Sequence, residues 1–106
     1  MKQAIIITAL LCGTAHAEFM DGNKLLTRIN GDAIENVSAM GYIMGVADAL
    51  RGQNHCPPST VTAGQLTDMV KQQLEKYPSL RHMTGDAHVS YLLGQTWPCP
   101  KKGNGT

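Results

Sequence analysis

A histidine–cysteine pair is the first pattern in the sequence that could do chemistry. His55 directly precedes Cys56, and a thiolate activated by an imidazole base is a common nucleophilic arrangement in hydrolases. However, Pro57 and Pro58 follow this cysteine, and Cys99 also lies between prolines. Cysteines at such non-helical junctions of an exported chain are usually the halves of a disulfide. We therefore expect Cys56 to be structural.

A second candidate is the set His82, Asp86 and His88, whose side chains are of types that bind divalent metals. On a helix, His82 and Asp86 share a face, whereas His88 points away from both. Ordinary solvated side chains near a helix start are therefore the preferred interpretation. Phosphate-binding and dinucleotide-binding glycine motifs are absent from the sequence. The sequence predicts a protein that is not an enzyme, with no catalytic residues, metal or cofactor.

The N-terminal residues predict export. Lys2 is followed by an apolar run over residues 4–11 and by Ala-His-Ala at residues 15–17, with small residues at both cleavage-box positions. This order is typical of a secretory signal peptide, and the run is too short to span a bilayer. We expect cleavage after Ala17, which releases a periplasmic chain that begins at Glu18.

Two cysteines, Cys56 and Cys99, stay in the mature chain, since Cys12 leaves with the signal. Cysteines in an oxidising compartment usually pair, and a bridge that closes about 44 residues would stabilise a small domain by roughly 4 kcal/mol. Two free thiols or an intermolecular bond are the alternatives. Loss of Lys2 leaves the mature chain with no formal net charge. Such a balance gives no electrostatic reason to expect nucleic acid or an anionic membrane as a partner.

Apolar residues recur at three- and four-residue steps, and alternating segments are absent, so the fold class is all-α. We expect a small bundle-like or orthogonal packing of about four helices with one disulfide. The expected divisions are a signal peptide at 1–17, a helical domain at 18–100 and a disordered tail at 101–106. The first helix is expected to begin after a cap at Asp21 or Asn23, and the second to run from about Asp32 to Leu50. The third is expected to begin at a capping box formed by Thr62 and Gln65 and to end at Lys76, and the fourth to run from about Thr84 to Thr96.

The second helix is expected to bury one apolar face. Gly41 and Gly45 lie four residues apart in it, and each costs roughly 1 kcal/mol relative to alanine. That cost indicates close approach of another helix backbone, with simple tolerance as the alternative. Asp48 is expected on the polar side. The residues expected in the buried stripe are Ile34, Val37, Met40, Met44, Ala47 and Leu50, widened by Ile43 and Val46.

Short signatures cover nearly the whole mature domain: residues 19–26 (FMDGNKLL), 41–49 (GYIMGVADA), 56–57 (CP), 61–62 (VT), 65–66 (QL), 77–78 (YP), 80–82 (LRH) and 97–99 (WPC). Together they resemble the Rap/Tai immunity proteins, periplasmic partners of peptidoglycan amidase effectors that are delivered by type VI secretion. Members of that family often carry a cysteine just before the second signature, where this chain has Met40. Any extra bridge made there in relatives is therefore missing here.

The resemblance implies an all-helical periplasmic homodimer that inhibits an amidase by occluding its active-site cleft. It assigns the bridge to Cys56 and Cys99 and leaves the partner-binding residues unknown. One alternative is a small periplasmic stress chaperone of the acid-responsive type, in which His55, His82 and His88 would sense pH. Another is a small secreted enzyme, which needs a polar constellation that the sequence lacks.

Overall fold

The computed structural model describes residues 19–101, and these form four helices without a strand. Helices α1 to α4 span Gly22–Ile29, Ala33–Leu50, Ala63–Lys76 and Gly85–Thr96, and a 3-10 turn at Pro78–Leu80 joins α3 to α4. The predicted all-α class is confirmed. The predicted signal peptide and nearly all of the predicted tail lie outside the described residues. None of these four helices is long and apolar enough to cross a membrane.

Local capping explains where the first three helices begin. Asp21 caps α1 with its carboxylate. Asp32 and Glu35 form a capping box at α2, and Thr62 and Gln65 form the predicted one at α3. In each box, side chains accept hydrogen bonds from N–H groups that the first helical turn leaves unpaired. These starts need no tertiary contact, which is why short sequence patterns predict them.

The core consists of aliphatic side chains from all four helices, and α2 contacts each of the other three. The small side chains on the buried face of α2 allow its neighbours to pack closely. The buried apolar residues are Leu25, Ile29, Ala39, Ile43, Ala47, Leu66, Val70, Leu74, Val89 and Leu93.

The predicted core face of α2 is wrong in its first half. Ile34 is 81% exposed and Val37 is 64% exposed, whereas Ala39, Ile43 and Ala47 are buried. The prediction failed because α2 carries apolar residues around almost its whole circumference, so their spacing does not select a single stripe. The stripe that faces the core follows the four-residue repeat from Ala39.

Gly41 and Gly45 lie on the outer side of α2. A Cβ atom added at either glycine would meet nothing within 4 Å among the described residues. The predicted approach of another helix backbone is therefore wrong for the part of the chain that the structure describes. At 100° per residue, both glycines share their side of the helix with Ile34 and Val37. We call these four residues the α2 outer face.

Candidate functional site

Cys56 is joined to Cys99 by the predicted disulfide, with their Cα atoms 4.8 Å apart. The N–H of Cys56 donates to the carbonyl oxygen of Trp97 at 2.8 Å. The side-chain amide of Asn54 donates to the carbonyl oxygen of Ser90, also at 2.8 Å. Three links thus tie the segment after α2 to α4 and its C-terminal end. Because its sulfur is in the bridge, Cys56 has no thiolate to act as a nucleophile.

His55 is fully buried within this junction and has no access to a substrate. Its Nδ1 lies 3.4 Å from Nδ2 of Asn54, and its Nε2 has no hydrogen-bond partner among the described residues. An amide nitrogen can only donate, so Nδ1 is the acceptor in this contact. Nothing in the local sequence distinguishes this histidine from an exposed loop residue.

His82, Asp86 and His88 are not brought together. His82 is exposed, and its Nδ1 lies 3.2 Å from the carbonyl oxygen of Ser79. His88 is only 5% exposed, and its Nε2 lies 2.8 Å from the carbonyl oxygen of Leu80. The expectation of a solvated His88 is therefore wrong. No group of three metal-binding side chains forms within residues 19–101.

Gly22 lets α1 pack directly against the segment between α3 and α4. A Cβ atom at this position would lie 2.8 Å from the carbonyl oxygen of Arg81, 2.9 Å from Nε2 of His88 and 2.9 Å from Cδ2 of Leu74. These atoms are already close-packed, so a methyl group would displace backbone or a buried ring. The buried His88 thus has a structural role, holding the turn against which Gly22 packs.

We expect Gly22→Ala to lower the free energy of unfolding by about 1–3 kcal/mol, because the added methyl group overpacks this contact. Gly64→Ala is the matched control, since the nearest atom to a Cβ there is 3.9 Å away. Alanine should be neutral or stabilising at Gly64. Urea unfolding of both variants checks this, and equal stabilities would contradict the close approach at Gly22.

Tyr42 reaches from α2 to the first turn of α4. Thr84 is the N-cap of α4, but its side chain makes no capping hydrogen bond. The Tyr42 hydroxyl lies against this turn, and a Cβ atom added at Gly85 would be 3.0 Å from its oxygen. Burial, followed by the negative charge of Asp86, raises the pKa of Tyr42 above its ordinary value of 10.0, while the backbone hydrogen bond acts in the opposite direction.

We expect Tyr42→Phe to lower the free energy of unfolding by about 1 kcal/mol, because it removes the interaction of the hydroxyl with the backbone of Asp86. In the wild type, the raised pKa means that the fold favours the neutral hydroxyl. The contribution of the neutral hydroxyl to the free energy of unfolding is therefore complete below pH 10.0, and it is lost as the pH rises through the pKa of Tyr42 in the folded state. Urea unfolding between neutral and alkaline pH measures both effects. Tyr91→Phe, at a residue that is 63% exposed, is the control and should match the wild type.

Two apolar surfaces are left uncovered on the described residues. One is the α2 outer face. The other is a cavity of about 420 Å³ between α3 and α4, which we call the α3–α4 groove. Contiguous exposed apolar surface of this kind marks sites where proteins bind one another. The residues that line the groove are Gln73, Tyr77, Leu80, Met83, Ala87, His88 and Tyr91.

A protein-family model matches the part of the chain that contains the four helices and the disulfide. The model of the Rap1a immunity proteins matches residues 21–99, from the N-cap of α1 to the second cysteine of the bridge. The chain belongs to the Rap1a immunity protein family. No curated protein matches it. Membership in the Rap1a family confirms the resemblance noted from the sequence signatures.

Several signature residues of this Rap1a family member build the domain. Gly22 permits the packing of α1, Tyr42 packs against the first turn of α4, and Cys56 and Cys99 form the bridge. Trp97 packs against the core. Signatures with these internal roles cannot identify the surface that meets a partner. The exposed side chains of the α3–α4 groove were missed in the sequence because their exposure depends on tertiary packing.

Proposed function

We propose that this chain is an exported immunity protein that binds a peptidoglycan amidase effector of type VI secretion and occludes its active-site cleft. The observation that carries the proposal is the Rap1a family match over residues 21–99. Membership of an immunity family supports a role in immunity and a protein effector as the partner. The amidase identity and the occlusion are the further steps that we propose.

The proposed compartment is the periplasm. The charged start, short apolar run and Ala-His-Ala box of residues 2–17 support export. The disulfide between Cys56 and Cys99 also supports it, because such bridges persist in oxidising compartments. A periplasmic immunity protein would lie where enzymes that cleave peptidoglycan act.

We further propose that the chain inhibits without doing chemistry of its own. Cys56 is held in a bridge, His55 is buried, and His88 contacts a carbonyl oxygen inside the fold. These groups support the structure, which leaves the exposed surfaces for recognition.

Co-expression tests the proposed function in cells. The product of the gene adjacent to this one is directed to the periplasm, where it should arrest growth. The full-length chain should restore growth, and the same chain without residues 2–17 should not, because it stays in the cytoplasm. Continued killing in the presence of the exported chain would contradict the proposal.

The homodimer implied by the resemblance is proposed to form through the α2 outer face. A two-fold axis would place this surface against itself in a second copy. Gly41 and Gly45 leave the backbone bare, and Ile34 and Val37 supply apolar area beside them. Contact between copies would bury this area and offset the cost of two glycines within a helix.

Sedimentation equilibrium tests this dimer. We expect the wild type to be dimeric at micromolar concentration and Val37→Glu to be monomeric, because the variant places a charge in the apolar contact. Gln95→Glu adds the same charge at an exposed position of α4 and should stay dimeric. A monomeric wild type, or a dimeric Val37→Glu, would contradict the assignment.

A further inference from the structure

The α3–α4 groove extends beyond its main cavity. A shallower cavity of about 240 Å³ adjoins it, and both include Gln73 and Tyr77 in their lining. The adjoining cavity is otherwise lined by Met69, Gln72, Lys76 and Leu92. The two cavities thus lie side by side along the α3–α4 seam. Grooves between helices typically receive a single apolar segment of another protein.

The rim of the groove concentrates exposed apolar side chains. Tyr91 is 63% exposed, Tyr77 is 44% exposed, and Leu80 and Met83 are each 43% exposed. Only three other large apolar side chains are exposed in the part of the chain that the structure describes. Tyrosine and methionine are enriched at protein interfaces, and tyrosines are frequent among the residues that dominate binding energy.

Hydrogen bonds hold the floor of the groove in place. Nε2 of His88 lies 2.8 Å from the carbonyl oxygen of Leu80, which ties the 3-10 turn to α4. Nε of Arg81 donates to the carbonyl oxygen of Leu74 at 2.7 Å, which ties the same turn to α3. A surface fixed in this way loses little conformational entropy when a partner binds.

Among residues 19–101, Lys76 is the only charged side chain that lines either cavity. Its Nζ lies 5.5 Å from the centroid of the Tyr77 ring, so the positive charge is held beside an aromatic residue common to both cavities. An opposite charge on an incoming segment would complement it and fix the direction of docking. The groove thus favours an apolar segment that carries a carboxylate.

We infer that the α3–α4 groove is the docking surface for the protein partner, and that the docking element is a short apolar segment with a carboxylate that pairs with Lys76. The inference rests on the proposed function, because that function supplies a protein partner. It adds the surface, its anchoring residues and the chemistry of the segment. Tyr91 and Leu80 would contact the apolar side chains of that segment.

Selection of phage-displayed random peptides on the chain that begins at Glu18 tests the inference without the amidase. We expect enriched peptides to combine apolar residues with Asp or Glu. Tyr91→Ala should weaken the best peptide about tenfold or more, as loss of an aromatic anchor does. Phe19→Ala, at an exposed aromatic residue that lines neither cavity, is the control and should bind like the wild type.

Lys76→Gln separates the charge from the apolar contact. The substitution should weaken the binding of a selected peptide that carries a carboxylate. It should leave unchanged the binding of the same peptide in which that carboxylate is replaced by an amide. The inference would be overturned if no peptide were enriched, or if the selected peptides bound Tyr91→Ala as tightly as the wild type.

A second copy of this chain in the groove would also overturn the inference. In that case the wild type would be a dimer and Tyr91→Ala would be a monomer. If the chain inhibits the amidase but no selected peptide depends on the groove, the docking surface is refuted and the proposed function stands. If peptides bind in the groove but the chain does not inhibit the amidase, the proposed function is refuted and the groove remains a peptide-binding surface.

Discussion

Ile43→Ala should lower the free energy of unfolding by about 2–5 kcal/mol, because it leaves a cavity at a fully buried position of α2. Ile34→Ala is the matched control: it makes the same change on the same helix at a residue that is 81% exposed. Its effect should stay within about 0.5 kcal/mol. Urea unfolding at concentrations that favour the monomer compares them without any contribution from the proposed dimer contact.

The comparison discriminates between the two faces of α2. The sequence pattern places Ile34, Val37, Ile43 and Ala47 in the core. The structure buries Ile43 and Ala47 together with Ala39, and it leaves Ile34 and Val37 exposed. A larger loss of stability for Ile34→Ala than for Ile43→Ala would contradict the observed packing. It would also remove the α2 outer face as a candidate contact between copies.

Replacing both Cys56 and Cys99 with alanine should lower the free energy of unfolding by about 4 kcal/mol. The bridge spans a sequence separation of 43, and opening a loop of that size returns conformational freedom to the unfolded chain. Small domains are only marginally stable, so a loss of this size removes much of the total. Thermal unfolding of the double variant measures the effect. Both cysteines are replaced so that no free thiol is left.

Reduction of the wild type should reproduce the stability of the double variant. Cys12→Ala in the precursor is the matched control and should leave the exported protein unchanged, because that cysteine is expected to leave with the signal peptide. A double variant as stable as the wild type would show that the bridge contributes nothing to the fold. A destabilising Cys12→Ala would contradict the expected cleavage after Ala17.

Helix limits and the bridge were predictable because their determinants are local or few. The capping box of Thr62 and Gln65 lies within four residues, and the two cysteines that are expected to remain after signal cleavage have only each other as partners within the chain. The prolines after Cys56 also mark the segment outside the helices. Short-range signals of this kind do not depend on how the helices later pack.

Packing itself was less accessible to prediction. The core face of α2 could not be chosen because nearly every side of that helix is apolar. Burial of His55 and His88 depends on neighbours from distant segments, such as Leu80 for His88. Tyr42 packs against the start of a helix more than forty residues away in the chain, so no local pattern indicates its role.

The candidate groove shows the same limit. Tyr77 ends one helix, Leu80 lies in the 3-10 turn and Tyr91 lies in α4, and only the fold brings them around one cavity. The sequence could therefore predict that a partner surface was required, through the family resemblance. It could not predict where on the domain that surface lies.

The most direct test of the proposed immunity function is a titration with purified proteins. The product of the neighbouring gene is mixed with the chain that begins at Glu18, and the release of peptide from purified peptidoglycan is measured. We predict that hydrolysis falls to background as the chain reaches a one-to-one ratio with the amidase. Hydrolysis that continues undiminished at excess of this chain would contradict the proposed inhibition.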